Sequence, residues 1–585
     1  MGRDPQPAPD RDRAMIRRLL LALTLALPLG AQAEPLASPR AAGTEPWLGM
    51  NMTELRDYQP QRPFIDVMKT ARAWTGHLHG QWGGWSEEDL IAAGALDAQG
   101  WPRFVPDALS GIATLILVDL AEDTGGVAGN YRLTHEGQGR LEIGGRIGGV
   151  RRRGLQELWF STTPGPGGVE ITIRSTDPDD PIRNIEIVHQ DHLAAHAAGE
   201  ILNPDWRARM DGMALLRFMG WQNTNQTELR HWDDRPRPDD YTWTPRGVPV
   251  EILIRVANDM GADGWFNIPH LADDAYIEAK AELIRDQLDP DLTAWIEFSN
   301  ETWNWGFPQA HHAAEAAGAR WGNRDLWQEW NAMRAAEMVQ IFDRVFAGQE
   351  HRLRRVLATQ TGWLGLEEQL EARHWQAEDP GNPAPPTLFD AYAITGYFSG
   401  LLGMEDKAPL LRDWLAEARE TARSAAEARG LTGDARARAI REGSHASLEQ
   451  KLTEELLDGR HSGDPRDTVR HFLDRYLPYH RDVADRWGLD LVAYEAGTHL
   501  VGIGPVMEDA ELSDLFVYMN YSDGMGLLYS QLLDGWFSGG GGEFVHYSDI
   551  RRADRWGSFG VLRHLKDDNP RWNALVGFDP AKARP

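Results

Sequence analysis

Cysteine is absent from all 585 residues, so no disulfide supports the fold and stability must come from a large buried core. Positive charge is also short. Sixty Lys and Arg face 88 Asp and Glu, for a formal net charge of −28. That balance argues against nucleic acid or an anionic membrane surface as a partner. A neutral polymer is indifferent to it, whereas a polyanion would need a local basic patch. Beyond residue 33 no apolar stretch is long enough to span a bilayer. There is no Walker loop, no Gly-x-Ser-x-Gly elbow and no dinucleotide fingerprint. His77-Leu78-His79 and His311-His312 lack the additional ligands of a zinc site, and the acidic turn from Asp177 to Asp180 reads as a solvated loop. Neither metal nor cofactor is expected.

What is present begins with a leader. Met15 and Arg17-Arg18 precede an apolar span from Leu19 to Leu29, followed by Ala31-Gln32-Ala33. A basic start, a short apolar region and an Ala-x-Ala site predict a cleavable export signal over residues 1–33. Export without disulfides fits a bacterial periplasmic or secreted protein. Tryptophan outnumbers the other aromatics, 24 against 17 Phe and 13 Tyr. Such rings either pack a core or offer flat platforms to the apolar face of a sugar.

Residues 47–105 and 205–570 carry a strand–helix alternation. Strands are predicted at 47–51, 214–219, 264–268, 295–298, 354–360, 391–395, 489–494 and 543–547. Helices are expected at 64–74, 249–260, 274–287, 324–346, 366–375, 509–533 and from Gly557. Eight parallel strands joined by helices predict a (β/α)₈ TIM barrel, with its site at the C-terminal strand ends. Between 107 and 195 the texture changes to short alternating strands set apart by Gly and Pro, the pattern of an inserted β-sandwich. That module could bind carbohydrate or brace the barrel. A charged, Ala-rich stretch over 406–486, before the seventh strand, reads as a solvated helical insertion.

The strand-end rule singles out two carboxylates. Glu301 follows the fourth strand in Trp295-Ile296-Glu297-Phe298-Ser299-Asn300-Glu301, and Glu495 closes the seventh in Tyr494-Glu495-Ala496-Gly497. A protonated and an ionised carboxyl flanking an anomeric carbon is the requirement for retaining hydrolysis of a glycosidic bond. The ionised partner needs a cation and hydroxyl donors beside it, and Arg217 and Tyr397 are of those types. Glu297 shares the parity of Glu301 and is expected in a buried ion pair beneath the site. Trp221, Trp265, Trp303, Trp305, Tyr547 and Trp556 fall at or beyond strand ends and, as a group, suggest an aromatic cleft. His546 could orient a hydroxyl or cap its strand.

These motifs resemble clan A glycoside hydrolases, retaining (β/α)₈ enzymes with an Asn-Glu pair on the fourth strand and a glutamate on the seventh. The likeness covers the barrel only. It implies Glu301 as general acid/base, Glu495 as nucleophile, and Asn300 as holder of the sugar 2-hydroxyl. It also implies Arg217 and Tyr397 as partners of the nucleophile, with His270 near an expected histidine. Thr395 stands where many members have His. The expected activity is hydrolysis of a β-linked polysaccharide or oligosaccharide, with no nucleic-acid partner and no membrane partner once the signal is removed. A non-catalytic carbohydrate-binding protein on the same barrel and a polysaccharide lyase are the alternatives. The two carboxylates separate an enzyme from a binding protein.

Overall fold

A computed structural model describes residues 48–579; the leader expected over 1–33 lies outside them. Eight parallel strands close into a barrel in chain order: Leu48–Asn51, Leu215–Arg217, Asp263–Ile268, Ala294–Phe298, Leu353–Ala358, Ala391–Phe398, Asp490–Thr498 and Phe544–Tyr547. Closure is direct, with Met50 beside Leu216 on one edge and His546 on the other. Parallel strands must be covered on both faces. Accordingly the third and fourth strands are buried along their whole length. Trp265 and Trp295 fill the interior, stacked with ring centroids 5.2 Å apart. Helices such as Val250–Met260 and Asp274–Gln287 cover the outside. The first ends on Gly261 at φ 60°, and the second starts on Asp273, whose carboxylate accepts from Tyr276 N.

Register shifts between Ile394 and Thr395 on one side, and between Ala493 and Ala496 on the other, mark a bulge in the seventh strand. Ala493 pairs with Ile394 and Glu495 with Thr395, which leaves Tyr494 as the extra residue. A bulge re-aims side chains that strict alternation would send to opposite faces. The seventh strand also runs on to Thr498, so Glu495 lies within it rather than at its end.

Two antiparallel sheets occupy the chain between the first and second barrel strands. One holds Gly129–Glu136, Gly148–Arg152, Glu157–Thr162 and Arg183–His189; the other holds Thr75–Leu78, Gly84–Trp85, Leu109–Ile116, Gly139–Gly145 and Val169–Thr176. Leu133, Leu158 and Ile187 from one sheet share a core with Ile112, Ile171 and Ile173 from the other. The first sheet strand thus begins well before 107. Its short Thr-Gly-His-Leu run carries little alternation, which hides it in the sequence.

Other boundaries differ as well. The helix expected over 64–74 is a single 3-10 turn, Val67–Thr70. Asp66, which caps that turn, also accepts from Ile187 N of the sandwich at 2.9 Å and ties the chain there. The segment from Gly557 is irregular, and the last helix is Pro570–Val576. A side chain at Gly560 would meet Arg551 N at 2.4 Å, because this segment presses against the backbone at 551. The helix expected over 509–533 breaks at Tyr521, and Ser522 caps a second helix, Asp523–Ser538. Within 406–486, Ala408–Ala428 and Gly433–Asp458 form an excursion docked by Arg419–Glu511 and Tyr518–Glu449 contacts. Leu477–Trp487 leads directly into the seventh strand.

Candidate active site

Arg217, the last residue of the second strand, is fully buried and organises the barrel mouth. Its Nη1 donates to Glu495 Oε1 at 2.8 Å, and its Nη2 donates to Glu297 Oε2 at 2.7 Å and Asn300 Oδ1 at 2.8 Å. The guanidinium lies 5.2 Å from the Trp265 ring centroid and 5.1 Å from that of Tyr494. These two cation–π contacts hold the fork flat. Asn51, closing the first strand, sets its carboxamide against the same guanidinium.

Glu297 is therefore paired beneath the mouth. It also accepts from Trp265 Nε1 at 2.9 Å and from Asn267 Nδ2 at 2.8 Å. Burial raises its pKa, opposed by Arg217 and these donors. Glu495 takes a second hydrogen bond, from the Tyr397 hydroxyl to Oε2 at 2.9 Å. Burial pushes the Glu495 carboxyl up to about 7, against the pull of Arg217, and the charge of Glu301 adds to the rise. Two buried carboxylates share one guanidinium here, so Arg217 does not bring Glu495 back to the usual carboxylate range. The same charges, on top of burial, hold the Tyr397 and Tyr494 hydroxyls well above their ordinary range. Both remain hydrogen-bond donors.

Glu301 is placed by an unusual loop. Ser299 continues the strand ladder through its N–H to Ile268 O, but its φ is 59°, and Glu301 follows at 40°. Left-handed conformations at non-glycine residues carry a cost that the surroundings must offset. The excursion turns Asn300 back to Arg217 and leaves Glu301 facing the cleft. Its Oε1 accepts from the Tyr494 hydroxyl and its Oε2 from Asn304 Nδ2, both at 3.0 Å. Asn300 donates in turn to Asn225 Oδ1 at 3.0 Å, so both ends of its amide have protein partners.

The open cleft above these groups has a volume of about 600 Å³. Glu301, Trp303, Trp305, Tyr397, Tyr494 and Trp363 line it with Gln360, Thr361, Thr395 and His499, and no lysine or arginine is among the lining residues. Trp305 and Trp363 are about half exposed and flank Trp327, at 5.3 and 5.8 Å between ring centroids. Tyr547 stands nearby, its ring 6.4 Å from that of Tyr397.

Other expected residues lie elsewhere. Trp221 is buried among Phe64, Trp206 and Phe218 and donates to Gln61, so it packs the core and cannot stack on a ligand. Trp265 is likewise internal. His546 is fully buried against the Tyr529 hydroxyl at 2.8 Å. His270 packs on His312 away from the cleft lining, with burial lowering its pKa to about 4. Trp556 is exposed beneath the Arg555 guanidinium and is not part of the lining.

Tyr494 shares the inward parity of Val492, and the bulge turns Glu495 to the same side, which strict alternation does not allow for two consecutive residues. Trp363 and His499 follow the fifth and seventh strands, so the strand-end rule applied to every loop would have found them. Among the described residues no His, Asp and Glu cluster could hold a metal ion, and no helix is long and apolar enough to cross a membrane.

No family model matches the chain, and no curated protein matches it. Among solved structures, it is similar to a modular endo-β-1,4-mannanase from Cellulomonas fimi at 11% identity, over 64% of this chain and 66% of that one, with a TM-score of 0.30. A Bacteroidetes-affiliated GH5 cellulase aligns at 10% identity, over 64% of this chain and 82% of that one, with a TM-score of 0.31. The endo-β-1,4-mannanase of Thermotoga petrophila aligns at 9% identity, over 65% and 72%, with a TM-score of 0.30. The chain spans slightly less than two thirds of the Cellulomonas enzyme.

Proposed function

We propose that this chain is an exported, retaining glycoside hydrolase of the clan A kind, acting on a neutral β-linked polysaccharide or oligosaccharide. The observation that carries the reading is the pairing at the mouth. Glu495 is gripped by Arg217 and Tyr397, and it feels the charge of Glu301 across a cleft lined by tryptophan and free of lysine and arginine.

In this mechanism Glu495, ionised, attacks the anomeric carbon and forms a glycosyl ester while Glu301 gives its proton to the departing glycosidic oxygen. Glu301 then takes a proton from water, which attacks the same carbon and frees Glu495. Arg217 and Tyr397 stabilise the carboxylate that is consumed and regenerated. Tyr494 and Asn304 orient Glu301. Trp305 and Trp363, both against Trp327, offer apolar faces to sugar rings along one wall of the cleft.

Replacing Glu301 or Glu495 singly with Gln tests the assignment. Each variant should lose turnover on a β-glycan while keeping its affinity for it, and proton NMR of the parent's first product should show the anomer of the substrate. Parent-like turnover in either variant would remove the catalytic reading. Binding by a parent that releases no reducing ends would leave a sugar-binding barrel, and unsaturated products would indicate a lyase.

A further inference from the structure

The chain carries a net charge of −28, yet one face of the sandwich concentrates arginine. Gly148–Arg152 is the edge strand of its four-stranded sheet and is exposed along its whole length. In register, Arg151 stands opposite Trp159, and Trp159 stands opposite Arg132 on the next strand. Their neighbours Leu158 and Leu133 point into the sandwich core, so alternation places Arg151, Trp159 and Arg132 together on the outer face. Arg153, just past the edge strand, lays its guanidinium 5.0 Å from the Trp159 ring centroid.

Their lack of partners distinguishes these arginines. On the opposite sheet Arg140 and Arg174 both engage Glu142. Among the described residues Arg132, Arg151 and Arg153 form no ion pair, whereas Arg152, opposite the core residue Leu158, donates to Leu141 O at 2.5 Å. A carboxylate of this face, Glu157, accepts from Trp159 Nε1 at 2.6 Å. One carboxylate among three guanidiniums leaves the face with an excess of positive charge, and the Trp159 ring beside Arg153 adds an aromatic surface to it.

We propose that this face is a second glycan site, separate from the cleft, that binds an acidic polysaccharide through its carboxylate or sulfate groups. The indole rim and guanidinium forks together match a sugar ring bearing a planar anion. The arginines lie on a flat sheet face, and the exposed aliphatics beside them are Leu155 and Val150 alone, too little apolar surface to favour a lipid bilayer. Screening over about 8 Å at physiological salt lets the patch act despite the acidic remainder of the chain. The cleft lining has no arginine or lysine, so the two sites select opposite classes of polymer. This inference holds whether or not the cleft hydrolyses glycans.

The test is native affinity electrophoresis of the full chain in gels cast with alginate or with a neutral β-glucan, together with flotation on phosphatidylglycerol vesicles. Alginate should retard the parent, and the Arg151→Gln/Arg153→Gln variant should bind it at least tenfold more weakly. Trp159→Ala should weaken binding too, while behaviour in the neutral β-glucan gel stays the same for all three proteins. Circular dichroism and an unchanged melting temperature confirm that the arginine variant is folded, since both substitutions are exposed. Equal retardation of parent and arginine variant, no retardation of the parent, or capture by vesicles without capture by alginate would each overturn the proposal.

Discussion

Arg217 donates to Glu495 at 2.8 Å from a position with no solvent exposure, but it divides its charge between Glu495 and Glu297. This sharing has a thermodynamic consequence. The Glu495 carboxyl sits at about 7 against an ordinary 4.5, so the folded state binds a proton that the unfolded chain has already released. Its contribution to stability is complete below pH 4.5 and is lost as pH rises through about 7. Glu495→Gln removes that dependence. Relative to the parent, the variant should gain stability progressively between pH 4.5 and 7, reaching on the order of 3 kcal/mol above pH 7. Thermal or urea unfolding at pH 4, 6 and 8 checks it; a stability difference that does not change with pH would contradict the sharing argument.

The same carboxyl sets a limb of the activity profile. Attack on the sugar requires the ionised form, so kcat/KM should rise with pH through an apparent value near 7 in the free enzyme. The Tyr397 hydroxyl favours the carboxylate. Tyr397→Phe should therefore move this acid limb to higher pH and lower the plateau by one to two orders of magnitude, roughly the worth of a hydrogen bond to a charged group. A limb that stays in place in the variant would show that another group controls it.

Tyr494 invites a more selective experiment. Its hydroxyl donates to Glu301 at 3.0 Å, and its side chain faces inward with Val492, beside Glu495, which the bulge presents. Tyr494→Phe should reduce kcat/KM on a natural glycan by roughly tenfold or more, the scale of one hydrogen bond to a charged group. A nitrophenyl glycoside, whose leaving group needs no protonation, should lose much less. Equal losses on both substrates would mean that Tyr494 supports the fold or Glu495, and not the proton donor.

The barrel was legible because buried parallel strands are short apolar runs at regular intervals, and each of the eight falls within a few residues of its expected place. Arg217 and Glu301 stand out because a polar side chain closes or follows a short apolar run, while Glu495 and Tyr397 lie inside strands that continue to Thr498 and Phe398. What sequence could not convey was local phase. Alternation would send Tyr494 and Glu495 to opposite faces, and only the register shift against Ile394 and Thr395 brings both to the mouth. For the same reason nothing in the sequence marks Ser299 and Glu301 as left-handed residues, since neither is glycine. Burial was the other gap. Trp221 and Trp305 both follow strands, yet one is walled in by Phe64, Trp206 and Phe218 while the other looks into the cleft.

That last contrast can be measured. Trp305 and Trp363 stand 45% and 48% exposed on the cleft wall, so truncating either removes a stacking surface and little packing. Trp305→Ala and Trp363→Ala should each raise KM for an oligosaccharide on the order of threefold to tenfold, given about 0.5–1.5 kcal/mol per aromatic contact, with small effects on unfolding. Trp221→Ala, in contrast, opens a cavity among three rings and should cost about 3–5 kcal/mol of stability, while the fraction that remains folded keeps its KM. Measuring KM and the unfolding midpoint together for all three variants separates the two kinds of tryptophan. If Trp221→Ala changed KM without destabilising the chain, its place in the core would be wrong; if the cleft variants unfolded early with KM unaltered, the aromatic wall would be packing, and sugar recognition would have to come from the polar groups around Gln360, Thr361 and His499.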